Sequence, residues 1–218
     1  PKGQVTETEY DLANRVAQTR FKKADTSTEE TRTFAYDKAG NLLTVDDLNG
    51  STTNTYDNLY RLLTETRADN SYSNYVVTSY YDEVGNRTKC VYPETGRTLI
   101  SHYEPRNLLE KVEDINGATT NETTYAYDLN GNTLNCTTPN GVVTTNSFDA
   151  QNRVLERSAK DGENNIYTVA YEYDLVGNRR SIDEDIADQG SRSMDYNYDD
   201  LYRLTSESWS LGGTNTSY

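Results

Sequence analysis

The chain has 218 residues and a mean hydropathy of −0.91, so it is unusually polar for a folded protein. Its net charge of −14 disfavours nucleic acid and anionic membrane as partners, because phosphate binding needs clustered lysine and arginine and here they are scattered. No apolar run approaches the ~18 residues that span a bilayer, and no signal peptide is visible. Nineteen tyrosines, with many threonines and valines, favour a thin, one-layer β-structure over disorder.

An aromatic residue followed by an acid recurs along the whole chain at intervals of 20 to 26 residues. The aromatic residue is expected to end a strand. The acid should then start a tight turn by accepting hydrogen bonds from N–H groups two or three residues further on. In chain order the nine copies are Tyr10-Asp11, Tyr36-Asp37, Tyr56-Asp57, Tyr81-Asp82, Tyr103-Glu104, Tyr127-Asp128, Phe148-Asp149, Tyr173-Asp174 and Tyr198-Asp199. A tenth copy would begin at Tyr218.

The copies alternate between two types, so the repeating unit is a pair of hairpins. The glycine type reads Y-D-x-x-G-N and places a glycine where the turn needs a positive φ: Gly40, Gly85, Gly131 and Gly177. The arginine type puts asparagine or tyrosine in that slot and an arginine next: Arg15, Arg61, Arg153 and Arg203. Each arginine should face the acid four residues before it across the turn. The Tyr103 copy departs from this pattern, with Arg106 earlier and Leu108 in the arginine slot.

A second, looser set of turns lies between the copies, at 47–50, 93–96, 114–117, 138–141 and 160–165. Two alternating sets of turns predict an all-β fold, an antiparallel β-hairpin meander of about 18 strands of roughly 6–9 residues. Alternation such as Phe34 with Tyr36 places the rings on one face of the sheet. Open sheets rarely exceed ~10 strands without curling, so we expect a curved, spiralling sheet. Residues 1–218 should form a single array of about nine hairpins, as an excerpt of a longer one.

The motifs Y-D-x-x-G-N-R at 81–87 and Y-D-x-L-x-R-L at 198–204 resemble the YD-repeat (Rhs) family across essentially the whole chain. That family includes bacterial Rhs proteins, wall-associated proteins, toxin-shell components and teneurins. The resemblance implies a segment of a hollow shell that closes around a C-terminal toxin domain in a secreted or cell-surface protein. The family's shell is longer, and its D-P-x-G core with self-cleaving aspartates is absent here.

Few residues suggest chemistry, and we expect no catalytic, cofactor or metal site. His102 has no nucleophile motif around it. Cys90 and Cys136 occupy equivalent positions one hairpin pair apart, too far for a disulfide, so both should be free thiols. Residues 128–132 resemble the start of a calcium loop but lack its later ligands, which favours a turn. The acidic residues Asp183, Glu184, Asp185 and Asp188 are interpreted as a solvated long loop, with calcium binding left open.

Two functions are consistent with these sequence features. The first is a structural wall segment, whose partners are further repeats and an encapsulated toxin or other cargo. The alternative is an extracellular adhesion module, in which exposed tyrosines stack on cell-surface glycans. The regular position of the aromatic residue in every copy favours the wall.

Overall fold

Strands and turns make up the fold in the computed structural model, which describes residues 4–23, 25, 27–72, 74–211 and 214–217. These residues contain no helix, and therefore none long and apolar enough to cross a membrane. The predicted tenth copy at Tyr218 lies outside them. The strands are β1 Val5–Tyr10, β2 Val16–Lys22, β3 Thr28–Tyr36, β4 Leu42–Asp47, β5 Gly50–Tyr56, β6 Leu62–Asp69, β7 Tyr75–Tyr81, β8 Arg87–Tyr92, β9 Arg97–Tyr103, β10 Leu109–Asn116, β11 Thr119–Tyr127, β12 Thr133–Thr137, β13 Val142–Phe148, β14 Val154–Asp161, β15 Asn164–Tyr173, β16 Arg179–Ile186, β17 Gly190–Tyr198, β18 Leu204–Leu211 and β19 Thr214–Ser217.

The strands form antiparallel meanders in two compact units. The first unit comprises residues 1–101 and 114–120, and the second comprises 102–113 and 121–218. In the first unit each strand pairs with the next from β1 to β9. In the second unit the same pattern runs from β11 to β19. The predicted all-β hairpin meander is confirmed, while its curvature stays a prediction.

A β-bulge follows the tight turn in eight of the copies. Ala35 pairs with Thr44 and Tyr36 pairs with Leu42, so Leu43 is the extra residue. The same one-residue shift occurs beside Tyr10, Tyr56, Tyr81, Tyr127, Phe148, Tyr173 and Tyr198. A bulge interrupts the ladder of backbone hydrogen bonds, so the first residues after each turn need other partners.

Burial is sparse, as the composition predicts for a one-layer sheet. Among the described residues, the buried apolar side chains are only Cys90, Ala159 and Ile182. With so little core, hydrogen bonds along the sheet and contacts between neighbouring copies must contribute much of the stability.

The acidic stretch near residue 183 is not a loop, which corrects the sequence-based interpretation. Asp183, Glu184 and Asp185 lie within β16, and only Asp188 lies in the short turn 187–189, with a φ of 63°. Acids are poor strand formers, which motivated the loop interpretation. The alternation of polar and apolar side chains nevertheless suits a strand: Asp183 and Asp185 are exposed on one face, whereas Ile182 and Ile186 are more buried on the other.

Several of the turns expected to be loose are tight. Residues 48–49, 117–118 and 162–163 are two-residue connections between consecutive strands. Gly117 and Gly162, with φ values of 61° and 57°, supply the left-handed conformation that such short hairpins need. The described residues contain nineteen strands of 4 to 10 residues, against about eighteen predicted.

Candidate functional site

The repeated aromatic–acid pair occupies the same structural position in every copy. All nine aromatic residues are the last residue of an odd-numbered strand, from β1 to β17, and the acid begins the turn that follows. In each copy the acid's backbone N–H donates to the carbonyl four residues later, as Asp57 does to Arg61 at 2.9 Å. The backbone N–H of the residue three later, here Tyr60, donates back to the Asp57 carbonyl at 3.0 Å.

The carboxylate stabilises this turn with both oxygens. In the arginine-type copy at Asp57, Oδ1 accepts from the backbone N–H groups of Leu59 at 2.8 Å and Arg61 at 2.9 Å. Its Oδ2 accepts from Arg61 Nε at 2.7 Å. In the glycine-type copy at Asp82, Oδ2 instead accepts from Asn86 Nδ2 at 2.9 Å. Arginine and asparagine therefore fill one slot in the two types of turn.

The residue before that slot has a positive φ in every copy. The four motif glycines have φ values from 89° to 101°: Gly40, Gly85, Gly131 and Gly177. In the other five copies a non-glycine residue takes φ values of 60° to 63°: Asn14, Tyr60, Asn107, Asn152 and Tyr202. Asparagine tolerates this conformation well, whereas it strains a tyrosine.

Hydrogen bonding lowers the pKa of the turn aspartates. For Asp11 the backbone N–H of Arg15 is the largest cause and the Arg15 side chain the second. For Asp82 desolvation is the largest single influence and raises the pKa, but the hydrogen bonds from Asn86, Gly85 and Val84 outweigh it together. The direction is downward at Asp11, Asp37, Asp57, Asp82, Asp128, Asp149, Asp174 and Asp199. These carboxylates are held in their charged form by the turn itself.

In six copies the tyrosine hydroxyl connects the copy to the one before it. Tyr81 Oη donates at 2.9 Å to the carbonyl of Leu62, the first strand residue after the preceding turn. In these six copies the acceptor lies six residues after the preceding aromatic residue, and in five of them a bulge lies beside it. The other donor–acceptor pairs are Tyr36 to Val16, Tyr56 to Leu42, Tyr127 to Leu109, Tyr173 to Val154 and Tyr198 to Arg179, at 2.7 to 3.0 Å.

One copy has no hydroxyl and another side chain takes its place. Phe148 cannot donate, and Asn146 Nδ2 donates instead to the carbonyl of Thr133 at 2.8 Å. In the Tyr56 copy the equivalent Asn54 also donates to the Leu42 carbonyl, at 3.1 Å. Sequence reasoning missed both asparagines. The available signal was an asparagine two residues before the one phenylalanine in the series.

Three of the arginines connect an arginine-type copy to the glycine-type copy that follows. Arg61 Nη1 donates at 2.9 Å to the Asp82 carbonyl, and its guanidinium lies over the Tyr81 ring, 4.7 Å from the centroid. Arg15 and Arg153 make the same pair of contacts with the next copy. These cation–π contacts add to the predicted ion pairs with the acid four residues earlier, which are present at Arg15, Arg61, Arg153 and Arg203.

The irregular copy at Tyr103 reaches the same contact from another position. Glu104 replaces the aspartate and its N–H still donates to the Leu108 carbonyl at 2.9 Å. Arg106 Nη1 donates to the Asp128 carbonyl at 2.7 Å, as the arginines of the other copies do. The link to the next copy is kept although the motif is altered.

The remaining candidate residues are not gathered into one site. His102 lies on β9 with Nε2 3.0 Å from Glu113 Oε1. Cys90 and Cys136 are both free thiols, as predicted. Within the described ranges, no group of three or more histidine, cysteine, aspartate or glutamate side chains is placed to hold a metal. Asp128 uses both carboxylate oxygens in its own turn, with Asn130 and Asn132 as donors.

A depression of about 450 Å³ lies on the polar face of β15 to β18. Its floor is formed by small residues, among them Thr168, Ala170 and Ser193. Asp183 and Asp185 line it, and each accepts a hydrogen bond from a serine hydroxyl of the neighbouring strand β17. Its lining therefore offers hydroxyls and carboxylates, also contains Arg192, and includes no aromatic residue.

Solved structures share this fold, whereas no family model and no curated protein matches the sequence. A chain of the TcdB2-TccC3 crystal structure is 19% identical, with a TM-score of 0.72 over 95% of this chain. The resemblance to the YD-repeat family is confirmed at the level of the fold. A chain of the Photorhabdus luminescens Tc holotoxin pore is 16% identical, with a TM-score of 0.66 over 100% of this chain. A chain of TcdB2-TccC3-Cdc42 is 18% identical, with a TM-score of 0.62 over 93%.

The matched region is a small part of those toxin chains. The YD-repeat fold described here spans 12%, 14% and 13% of their respective lengths. At identities below 20% the similarity establishes a shared hairpin architecture, and function must be argued from the residues of this chain.

Proposed function

We propose that this YD-repeat chain is a structural segment in the wall of a hollow β-shell that encapsulates or presents a toxin or other cargo domain. Residues 1–218 act as one array whose partners are further repeats and the cargo. The segment carries no catalytic residues, and the protein acts in a secreted or cell-surface setting. The fold shared with TcdB2-TccC3 and the Tc holotoxin pore supports this proposal.

The observation that carries the proposal is the use of the motif side chains between copies. A tyrosine that served as a stacking platform for a ligand would need a free ring face. Tyr36, Tyr81 and Tyr173 instead donate their hydroxyls to the preceding copy and have an arginine over the ring. These hydroxyls and ring faces are occupied by contacts between hairpins, as expected in a structural wall, and little of them is left to recognise a ligand.

Limited proteolysis of the natural polypeptide that carries this sequence tests the proposal. We expect the region that follows the repeats to resist protease while the repeats are intact, and imaging by electron microscopy to show a hollow particle. Urea at a concentration that unfolds the repeats should expose that region. Digestion of the region at equal rates in folded and unfolded repeats contradicts encapsulation, as does an elongated particle without a cavity.

The second candidate function is glycan binding, and the exposure of several tyrosines favours it. Several tyrosines outside the strand-end series are exposed: Tyr72 by 82%, Tyr60 by 64% and Tyr202 by 61%. Such rings can stack on sugars. Binding on a glycan array that is lost in Tyr72→Ala and retained in Tyr81→Phe would favour adhesion. Absence of binding by the folded chain leaves the wall as the better account.

A further inference from the structure

Asparagine–glycine pairs lie at four of the turns: Asn49-Gly50, Asn116-Gly117, Asn130-Gly131 and Asn140-Gly141. In such a pair the backbone nitrogen of the glycine can attack Cγ of the asparagine side chain, because glycine has no side chain of its own to block the approach. The nitrogen must first lose its proton. A hydrogen bond from the glycine N–H to a carbonyl therefore slows the attack, since it holds the proton and fixes the nitrogen in place.

In three of the four pairs the glycine is the fourth residue of its turn, where its N–H closes the turn. The N–H groups of Gly131 and Gly141 donate to the carbonyls three residues earlier, at 3.2 and 2.9 Å. Gly50 has the same position, because it opposes Asp47 across the two-residue turn 48–49. The turn itself thus engages the nitrogen that would have to react.

Gly117 is the exception, because it is the second residue of its turn. Strand β10 ends at Asn116 and β11 begins at Thr119, so Gly117 and Ala118 are the two connecting residues. The second residue of such a turn does not contribute its N–H to the closing hydrogen bond. In the described part of the chain the Gly117 N–H has no backbone acceptor, and both Asn116 and Gly117 are exposed. Apart from the adjoining residues, no heavy atom lies within 4 Å of the position that a Cβ on Gly117 would occupy.

The side chains of two of the other asparagines are also held. Asn130 Nδ2 donates to Asn152 Oδ1 at 2.9 Å. Asn140 Oδ1 accepts from Thr138 Oγ1 at 2.6 Å. Each contact opposes the rotation that would bring Cγ of the asparagine toward the following nitrogen. Both partners of the reaction are therefore restrained at these two turns, whereas at Asn116 the nitrogen is free and the site is open to water.

We propose that Asn116 is a site of spontaneous deamidation in the folded protein, and that the other three asparagine–glycine pairs are protected by their turns. The Gly117 nitrogen loses its proton to hydroxide and bonds to Cγ of Asn116. The bond between Cγ and Nδ2 breaks, and the amide leaves as ammonia, so a succinimide ring forms. Water then opens the ring at one of its two carbonyls, which leaves an aspartate or an isoaspartate at position 116.

The product alters both the charge and the backbone of the turn. Each conversion adds one negative charge to a chain whose net charge is −14. The new carboxylate lies two residues after Asp114, whose own carboxylate is already bound to Arg97 through two hydrogen bonds of 2.8 Å. Isoaspartate also adds one methylene to the main chain beside a two-residue connection, and the geometry of such a turn depends on its length. We expect the turn at 117–118 to open more readily after the conversion.

Peptide mass spectrometry of the 218-residue chain, incubated in mildly alkaline buffer and sampled over time, tests the proposal. We expect Asn116 to be converted about tenfold faster than Asn130 or Asn140, because those two react only after a hydrogen-bonded turn opens locally. In urea that unfolds the chain, all four pairs should react at similar rates. Asn116→Gln is the control variant, since its longer side chain must form a larger ring. It should abolish the conversion at position 116 and leave the rates at Asn130 and Asn140 unchanged.

Circular dichroism of the same samples shows that the chain stays folded, so each result is decisive. Conversion of Asn116 and Asn130 at equal rates in the folded chain overturns the proposal, because the position of the glycine in its turn would then have no effect. Conversion of Asn49 before Asn116 overturns it for the same reason. An unmodified Asn116 after a period in which the unfolded chain is fully converted also overturns it, since the turn at 117–118 would then protect its asparagine as the other turns do.

Discussion

Replacing Tyr81 with phenylalanine removes one hydroxyl and tests the link between copies. The Tyr81 hydroxyl donates at 2.9 Å to the carbonyl of Leu62, which lies beside a bulge and has lost part of its regular ladder. A net hydrogen bond contributes about 0.5–1.5 kcal/mol, so Tyr81→Phe should destabilise the fold by about 1 kcal/mol. In a chain of this length that corresponds to a Tm lower by roughly 2–4 °C.

The chain supplies its own matched control in Tyr56. The Leu42 carbonyl accepts from Tyr56 Oη at 2.9 Å and also from Asn54 Nδ2 at 3.1 Å. Tyr56→Phe leaves that carbonyl with a donor, so we expect a loss of only a few tenths of a kcal/mol. Removing both donors, in Tyr56→Phe with Asn54→Ala, should cost more than the sum of the single changes because the acceptor is then unsatisfied.

Thermal and urea unfolding followed by circular dichroism measure these differences, and hydrogen exchange places them in the chain. Exchange should accelerate near residue 62 in Tyr81→Phe and stay close to wild type near residue 42 in Tyr56→Phe. Equal destabilisation by the two single changes would refute the reasoning, because it would mean that the second donor is irrelevant. So would a Tyr81→Phe variant as stable as wild type.

The remaining predictions concern the turns. Gly85 has a φ of 101° and open space around its Cβ position, so Gly85→Val should cost about 1–3 kcal/mol through backbone strain alone; unchanged thermal stability contradicts this. Arg61→Lys should lower the Tm by a few degrees, because one lysine cannot at the same time pair with Asp57, donate to the Asp82 carbonyl and cover the Tyr81 ring. Arg32→Lys is the control, because Arg32 pairs with Glu30 and does not connect two turns. The pKa values of the turn aspartates are lowered in the fold, so their stabilisation is complete above the unfolded pKa and is lost as the pH falls through the folded values. Acid titration of unfolding should show a loss that begins only below about pH 5, and a loss centred near neutrality would contradict it.

The repeat itself could be predicted from the sequence because its signals are local. An acid that begins a turn, a glycine or asparagine four residues after the aromatic residue, and alternation along the strands are all short-range features. The positions of Asp57, Gly85 and Asn152 in their turns follow from such features. The ion pair between Asp57 and Arg61, 2.7 Å apart, was predictable for the same reason.

The contacts between copies could not be predicted, since they depend on register over about twenty residues. Tyr81 and Leu62 meet only because a bulge shifts the pairing beside Tyr56. The acidic segment at Asp183 was misassigned for a related reason. Its neighbours on β15 and β17 supply the ladder that overrides the weak strand preference of aspartate, and those neighbours are distant in sequence.

The two residues of the aromatic–acid pair make contacts in opposite directions along the chain. The acid acts forward, since it closes the turn that follows it. The aromatic residue acts backward, since its hydroxyl satisfies a carbonyl that the preceding bulge leaves exposed. The Phe148 copy shows that the two contacts are independent: Asp149 still closes its turn, while Asn146 makes the contact with the preceding copy. What the fold requires is therefore a donor to the carbonyl beside the preceding turn. Tyrosine is the usual donor, and at Tyr36, Tyr81 and Tyr173 its ring also lies under the arginine of the copy before.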